Sequence, residues 1–260
     1  MLFLSNNQLE SVRQEVGPTI NEDNLSYLIN SWILAGMLSI TTITSTLGAL
    51  GFMVNDKERK IIKDFKSSPL AMTSYPIAAI VSAFVIGVLI SGIVFLVYGV
   101  YIFLTTGYYF DLIIIFKTIG LIFISSLMNA TLMGFIVSFI SSNNAFSAVS
   151  LMIGSSIGFL NGMYIPIGQL GESTQKVLKL LPFSHIASLF RQVLMRQSID
   201  VTFSGAPQGA VDNYKNILGI VLDWNGKQIS LNQSFLFISG VFLISLLLFF
   251  INFKRKKEVI

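Results

Sequence analysis

Long apolar stretches alternate with short polar segments along the whole chain. Five stretches are long enough to cross a bilayer, which takes about 20 helical residues. They lie near Asn30–Val54, Pro76–Leu104, Leu112–Ile140, Ala145–Ile165 and Ser234–Phe253. None has the alternation of a barrel strand, and an open sheet cannot satisfy its backbone in lipid. The pattern predicts an all-α integral membrane protein, a polytopic helix bundle with five spans.

Composition supports a membrane location and removes several function classes. Hydrophobic residues make up 53% of the 260 residues and charged residues 12%, about half the charged share of a soluble domain. The chain has no Cys and a single His, so a zinc–thiolate site or a histidine cluster is excluded. A net charge of +4 gives no reason to expect nucleic acid. We therefore expect the lipid bilayer as a partner, with no metal, other cofactor or nucleic acid.

The distribution of Lys and Arg predicts the orientation. Five basic residues lie within Lys57–Lys66, four lie in the C-terminal tail, and the 1–29 segment has Arg13 against four acidic residues. Basic residues near span ends stay in the cytoplasm, a rule that fades in loops longer than about 60 residues. We therefore expect the loop at 55–70 and the C-terminus in the cytoplasm. The 1–29 segment and the loop at 166–233, despite its six basic residues, are expected outside.

The 55–70 loop has the pattern of a short amphipathic helix. Asn55 and Glu58 have capping-box spacing, and Pro69 ends the segment. Ile61, Ile62 and Phe65 fall on one helical face. A solvated basic loop is the simpler interpretation, but an exposed apolar ridge between two spans favours a partner surface or the headgroup region.

The 166–233 loop predicts two further amphipathic helices. Ser173 can cap a helix through Leu181, and Ser184 can cap a second whose apolar stripe leaves Arg191 to one side. His185 is expected to be a surface or cap residue.

Polar and small residues inside the spans suggest packing more than chemistry. Asn129, near mid-span, favours an interhelical hydrogen bond over a substrate contact. The hydroxyls of the first span either line a polar face or bond back to helix carbonyls. The candidates for a translocation path are Thr42, Ser45, Thr46 and Asn129. Gly154, Gly158 and Gly162 have the spacing of a close helix approach. No nucleophile–base pair can be assembled, so we do not expect an enzyme.

Three stretches resemble the permease subunit of ABC transporters of the ABC-2 type, in the branch that includes daunorubicin-type drug-efflux permeases. The first is Ser31–Leu38 followed by Thr46–Gly51. The second is Asp56–Leu70. The third is Gly162–Ile167, with Leu180–Ser184 and the following Arg191. The likeness runs along nearly the whole chain as one domain, 1–260, and depends on the order and spacing of loose motifs.

The resemblance implies a subunit that moves a drug, peptide or lipid-like substrate across the plasma membrane. It implies a separate ATPase chain, which supplies the energy, and a second permease copy. It also implies that the 55–70 loop is a coupling helix docking on that ATPase. The residues implied in this contact are Glu58, Arg59, Ile61, Ile62, Phe65 and Pro69. Many relatives carry Gly-Thr after the Glu-Arg element, where this chain has Ile-Ile-Lys-Asp.

The resemblance also implies six spans with both termini in the cytoplasm. Met1–Leu4 aligns with the end of the first family helix. We therefore expect this chain to lack that helix and to begin outside the cell. The alternative function is a non-transporting immunity or sensor protein, or an inactive truncated permease.

Overall fold

The computed structural model describes residues 21–61, 74–224 and 227–259. The predicted outer segment before residue 21 and most of the 55–70 loop lie outside this range. In chain order the elements are α1 Glu22–Ala49, α2 Gly51–Glu58, α3 Ser74–Thr106, α4 Leu112–Ser138, α5 Asn143–Leu160, a 3₁₀ turn Ile167–Gln169, α6 Glu172–Lys179, α7 Pro182–Leu194, α8 Arg196–Thr202, α9 Gln208–Ile217, β1 Asp223–Trp224, β2 Lys227–Gln228 and α10 Leu231–Val259.

Four of the described helices are long and apolar enough to cross a membrane. They are α1 with α2 (Glu22–Glu58), α3, α4 and the Leu231–Phe253 part of α10. The fifth predicted span is α5, with 18 residues, or about 27 Å at 1.5 Å per residue. Two asparagines at its start lower its mean hydropathy, so its crossing stays a prediction. The predicted all-α, polytopic membrane fold is confirmed.

The surface of α3 explains why the chain needs lipid. Large apolar side chains along the helix are exposed, among them Leu89 at 59%, Leu96 at 67% and Leu104 at 75%. A contiguous apolar surface of this kind is unstable in water and suits the hydrocarbon of a bilayer. With 33 residues, α3 is about 50 Å long and exceeds the hydrocarbon thickness of about 30 Å.

The first span begins earlier than its hydropathy indicates. The Asn21 side-chain oxygen accepts a hydrogen bond from the Asp23 backbone N–H at 3.0 Å, the usual arrangement of an N-cap. Glu22 and Asp23 occupy the first turn, where acidic side chains interact favourably with the helix dipole. The helix therefore begins before the apolar stretch predicted from Asn30, because polar capping residues do not raise the hydropathy.

The described residues form two compact units. One comprises those within Met1–Ser39, Ile93–Leu121 and Gly158–Ser234, and the other those within Ile40–Gly92, Ile122–Ile157 and Phe235–Ile260. In the first unit, an apolar core joins the start of α1 to α8 and α9. Its members include Leu25, Leu28, Trp32, Met195, Ile199, Phe203, Tyr214 and Leu218. The segment between α7 and α10 therefore packs against the start of α1 through an apolar core.

Hydrogen bonds between helices characterise the second unit. Asn129 Nδ2 on α4 donates to Thr42 Oγ1 on α1 at 3.2 Å, which confirms the predicted interhelical bond. The hydroxyls of Thr131 on α4 and Ser245 on α10 are 2.9 Å apart. Bonds of this kind join helices in lipid, where apolar contact alone gives little preference for one partner over another.

Candidate functional site

The predicted helix through the 55–70 loop is wrong in its first part. α2 ends at Glu58, and Lys60 adopts a left-handed conformation with φ of 62°. The Ile61 N–H bonds to Asp56 O at 3.0 Å and the Lys60 N–H to Lys57 O at 3.1 Å, which is a Schellman helix end. The predicted N-cap Asn55 is inside α2, because α2 continues α1 almost without interruption. Its carbonyl already accepts from the Arg59 N–H at 2.9 Å.

The predicted ATPase-contact residues divide between described and undescribed parts of the chain. Glu58 and Arg59 are exposed, and Ile61 is half-buried. The other three, Ile62, Phe65 and Pro69, lie outside the described residues. Of the predicted apolar ridge, Ile61 is the residue that the structure describes, and it lies in the Schellman turn itself.

The Lys57 side chain caps the C-terminal end of α4. Its ammonium donates to the backbone carbonyls of Val137 and Ser138 at 3.0 Å each and of Ile140 at 3.1 Å. The last carbonyls of a helix have no partner within the helix and carry partial negative charge. A lysine directed at them supplies both the missing donors and a favourable charge.

Glu58, the next residue, contacts the start of α5. Its Oε2 accepts from the Asn143 backbone N–H at 3.2 Å and from the Asn143 side-chain amide. Ser142 Oγ accepts from the Ala145 N–H at 3.3 Å, so two of the free N–H groups at this helix start are bonded. A carboxylate is favourable there because the helix N-terminus carries partial positive charge.

Asp56 completes a run of three charged residues that contact three different helices. Its Oδ2 accepts from the hydroxyl of Tyr75, in the first turn of α3, at 2.9 Å. Asp56, Lys57 and Glu58 therefore contact α3, α4 and α5 respectively. The sequence analysis placed Lys57 in a basic cytoplasmic loop and Glu58 in a capping box, whereas both side chains bond to other helices of the chain.

The four candidate path residues lie in the second unit, and most are buried. Thr42, Thr46 and Asn129 have no exposed surface. Thr46 Oγ1 donates to Thr42 O at 2.8 Å, and Ser45 Oγ to Thr41 O at 2.5 Å, the back-bonding that the sequence left open. Asn129 Oδ1 is buried and has no hydrogen-bond partner among the described residues.

The three glycines of the predicted packing face have different neighbouring residues. A Cβ on Gly158 would lie 2.4 Å from the Tyr164 ring, and one on Gly162 would lie 2.5 Å from the Ile167 side chain. Gly154 has no atom of the described chain within 4 Å of that position. Among the described helices, a close approach occurs at Gly87 of α3, where a Cβ would lie 2.7 Å from Thr46 of α1 and 3.2 Å from Ser126 of α4. A single glycine carries no spacing signal, so the sequence could not identify it.

In the first unit, the position of Arg191 differs most from the one that the sequence predicts. Expected beside the apolar stripe of α7, Arg191 is 0% exposed. Its guanidinium donates to the carbonyls of Gly219 at 3.3 Å, Asn161 at 3.1 Å and Gly162 at 3.0 Å. It lies 5.1 Å from the ring centroid of Trp32, a cation–π distance. Burial lowers the pKa of Arg191 to about 9, so it stays charged at neutral pH.

Two of the carbonyls that Arg191 contacts belong to glycines that end helices. Gly162 follows α5 with φ of 69°, and Gly219 follows α9 with φ of 63°. The bonds from Met163 N–H to Gly158 O and from Ile220 N–H to Lys215 O, both 2.9 Å, are those of Schellman ends. Arg191 therefore joins the ends of α5 and α9 through carbonyls that left-handed glycines direct toward it.

His185 and two serines also differ from expectation. His185 is buried, with Nε2 at 3.0 Å from Lys179 O and Nδ1 at 3.2 Å from Ser234 Oγ. It is therefore a cap for the end of α6, as one alternative expected, but not a surface residue. Ser173 and Ser184 are not N-caps, because α6 is preceded by Gly171 and α7 begins with Pro182. Pro182 supplies the helix start itself, since proline is favoured at the first helical position.

A cavity of about 280 Å³ lies in the first unit between α6, α9 and the segment after α9. Lys179 and Asp223 are on its wall. Partial burial lowers the pKa of Lys179, and the negative charge of Asp223 opposes that shift. The two opposite charges give the described wall no strong preference for an anion or a cation. Among the described residues no cluster of three or more His, Cys, Asp or Glu could hold a metal ion.

The fold and its exposed apolar helices define a multi-pass membrane protein. The family model described as ABC-2 type transporter matches residues 6–195, well over half of the chain. The chain belongs to the ABC-2 type transporter family. Members of this family are membrane permeases, so the chain is a transport subunit rather than a catalytic one. No curated protein matches it.

Proposed function

We propose that this chain is the permease subunit of an exporter driven by ATP hydrolysis in a separate chain. The observation that carries the proposal is the family match over residues 6–195. Two further features support it. The run of charged residues at the end of α2 is bonded to three other helices, and such links are needed by a segment that passes movement of the ATPase on to membrane helices. The sequence also contains no phosphate-binding loop of its own.

The proposed arrangement has two permease copies and two ATPase subunits in the plasma membrane. The loop at 55–70 and the C-terminus face the cytoplasm, as the five basic residues within Lys57–Lys66 and the basic tail favour. The ATPase contact involves the ridge of Ile61, Ile62 and Phe65. The transported molecule is a drug, a peptide or a lipid-like compound.

We also propose that the hydroxyl-rich part of α1 borders the translocation path. The support is chemical, since Asn129 Oδ1 is buried without a hydrogen-bond partner in the described part of the chain, and such an acceptor is available to a passing polar group. Thr42 on α1 accepts a hydrogen bond from the Asn129 amide, and Ser45 and Thr46 follow one turn later on the same helix.

Co-purification with an ATPase subunit tests the proposal. The full chain carries an affinity tag and is expressed with the ABC ATPase encoded nearest to it. We expect a stable complex whose ATPase activity is sensitive to vanadate. Phe65→Asp should weaken the complex at least about tenfold, because interface contacts concentrate in a few apolar residues. Val177→Asp is the matched control, since Val177 is 59% exposed on α6, outside the 55–70 loop.

One result would contradict the proposed function, and another would contradict the proposed contact alone. If the native chain binds no ATPase, the exporter function is wrong, and a non-transporting membrane protein is the better assignment. If Phe65→Asp binds the ATPase as tightly as the native chain does, the function stands but the apolar ridge is not the contact.

A further inference from the structure

The turn between α4 and α5 is held from both sides by two consecutive residues of α2. Lys57 bonds to three carbonyls where α4 ends, and Glu58 bonds to Asn143 where α5 begins. These partners are 80 to 85 residues away along the chain. The end of α2 therefore cannot move independently of this turn without breaking several hydrogen bonds.

The position of these two residues relates them to the coupling loop. Lys57 and Glu58 are followed directly by the Schellman turn at Arg59–Ile61, after which the described part of the loop ends. The left-handed Lys60 and the two bonds across the turn fix the direction in which the chain leaves α2. A displacement of the following loop therefore acts first on the end of α2, and next on the helices bonded to it.

We propose that Lys57 and Glu58 are the positioning residues that transmit ATP-driven movement of the loop to α4 and α5. The proposal rests on the exporter function proposed above. The two residues transmit by their opposite charges, since Lys57 binds the negative end of one helix dipole and Glu58 the positive end of the next. Neither is required to touch the ATPase for this role.

The absence of Cys from the sequence makes a direct measurement possible. Ser141, an exposed residue of the α4–α5 turn, is replaced by Cys and given a spin label in the complex with the ATPase in liposomes. In the otherwise native chain, we expect ATP with vanadate to change the mobility of the label. With Lys57→Met the change should fall about fivefold or more, the low end of typical coupling between two sites.

Two companion variants separate transmission from folding. Lys57→Arg keeps a cation with several donors and should restore most of the response. Asn143→Ala removes the side-chain bond to Glu58 and a 3.5 Å bond to Asn55 Oδ1, and it leaves the backbone bond to Glu58. It should therefore fold normally and reduce the response by a smaller factor. Throughout, ATPase binding and the rate of hydrolysis should stay close to the native values, which a general loss of structure would not allow.

The possible results distinguish the two proposals. A native chain without any bound ATPase removes the exporter function and this role with it. A native complex that hydrolyses ATP without any change at the label overturns the transmission role alone. The same conclusion follows if Lys57→Met and Asn143→Ala both fold and respond as strongly as the native chain.

Discussion

Two cationic side chains, one in each unit, bond to backbone carbonyls at helix ends, but their surroundings differ. Arg191 and Lys57 each donate to three backbone carbonyls at helix ends. Arg191 is completely buried against Trp32, whereas Lys57 is half-buried and next to the exposed Glu58. The first contact is inaccessible and suits a permanent link between helices. The second is partly solvated, so it can break and re-form at a lower free-energy cost.

Loss of Arg191 should have the largest effect. Arg191→Met leaves the carbonyls of Gly219, Asn161 and Gly162 buried without this donor. We expect the free energy of unfolding to fall by about 3–5 kcal/mol, since each unsatisfied buried group costs on the order of 1–3 kcal/mol. Thermal unfolding in detergent measures the change. Arg196→Met is the matched control because Arg196 is exposed on the next helix, and an equal loss there would contradict the assignment.

Gly219→Ala should have the next largest effect, because it disturbs the same contact from the other side. The left-handed backbone alone disfavours Ala by about 1–2 kcal/mol. The new Cβ would also lie 3.2 Å from a guanidinium nitrogen of Arg191. Gly205 has a similar φ of 85° and no atom of the described chain within 4 Å of a Cβ. The difference in unfolding temperature between the two Ala variants measures the effect of crowding at Gly219, where Arg191 is the nearest neighbour and Ile167 follows at 3.4 Å. No difference would show that the Arg191 contact is unimportant.

These contacts mark the limit of what the sequence could predict. Hydropathy identified four of the described spans, and Asn129 was correctly expected to bond to another helix, because a buried amide in lipid needs a partner. Arg191 and His185 were misjudged, since periodicity assigns a residue to a helix face but does not say what covers that face. Lys57 was assigned to a basic surface because its partners are 80 or more residues away. Contacts at such separation leave no local signal.

Lys57→Met should destabilise the chain less than Arg191→Met does, by about 1–2 kcal/mol, because water can replace part of the lost hydrogen bonding at a half-buried site. Thermal unfolding of the permease alone measures this loss. Lys60→Met is the control, since Lys60 is exposed and its side chain makes no hydrogen bond or ion pair with the described residues. If Lys57→Met costs as much as Arg191→Met, the contrast between a permanent and a reversible link is wrong.

Protonation of His185, in the first unit, should give the smallest effect, which is a dependence of stability on pH. Lys179 O can only accept, so His185 Nε2 carries the proton and Nδ1 accepts from the Ser234 hydroxyl. Burial lowers the pKa of His185 below its usual 6.5. Below pH 6.5 the unfolded chain binds a proton at this histidine more readily than the folded chain does. The contribution of neutral His185 to the free energy of unfolding is therefore fully present at neutral pH and is lost as the solution is acidified. His185→Gln keeps a donor for Lys179 O and does not titrate. Its unfolding temperature should therefore fall less than that of the native chain between neutral and mildly acidic pH, and an equal fall in both would mean that another group is responsible.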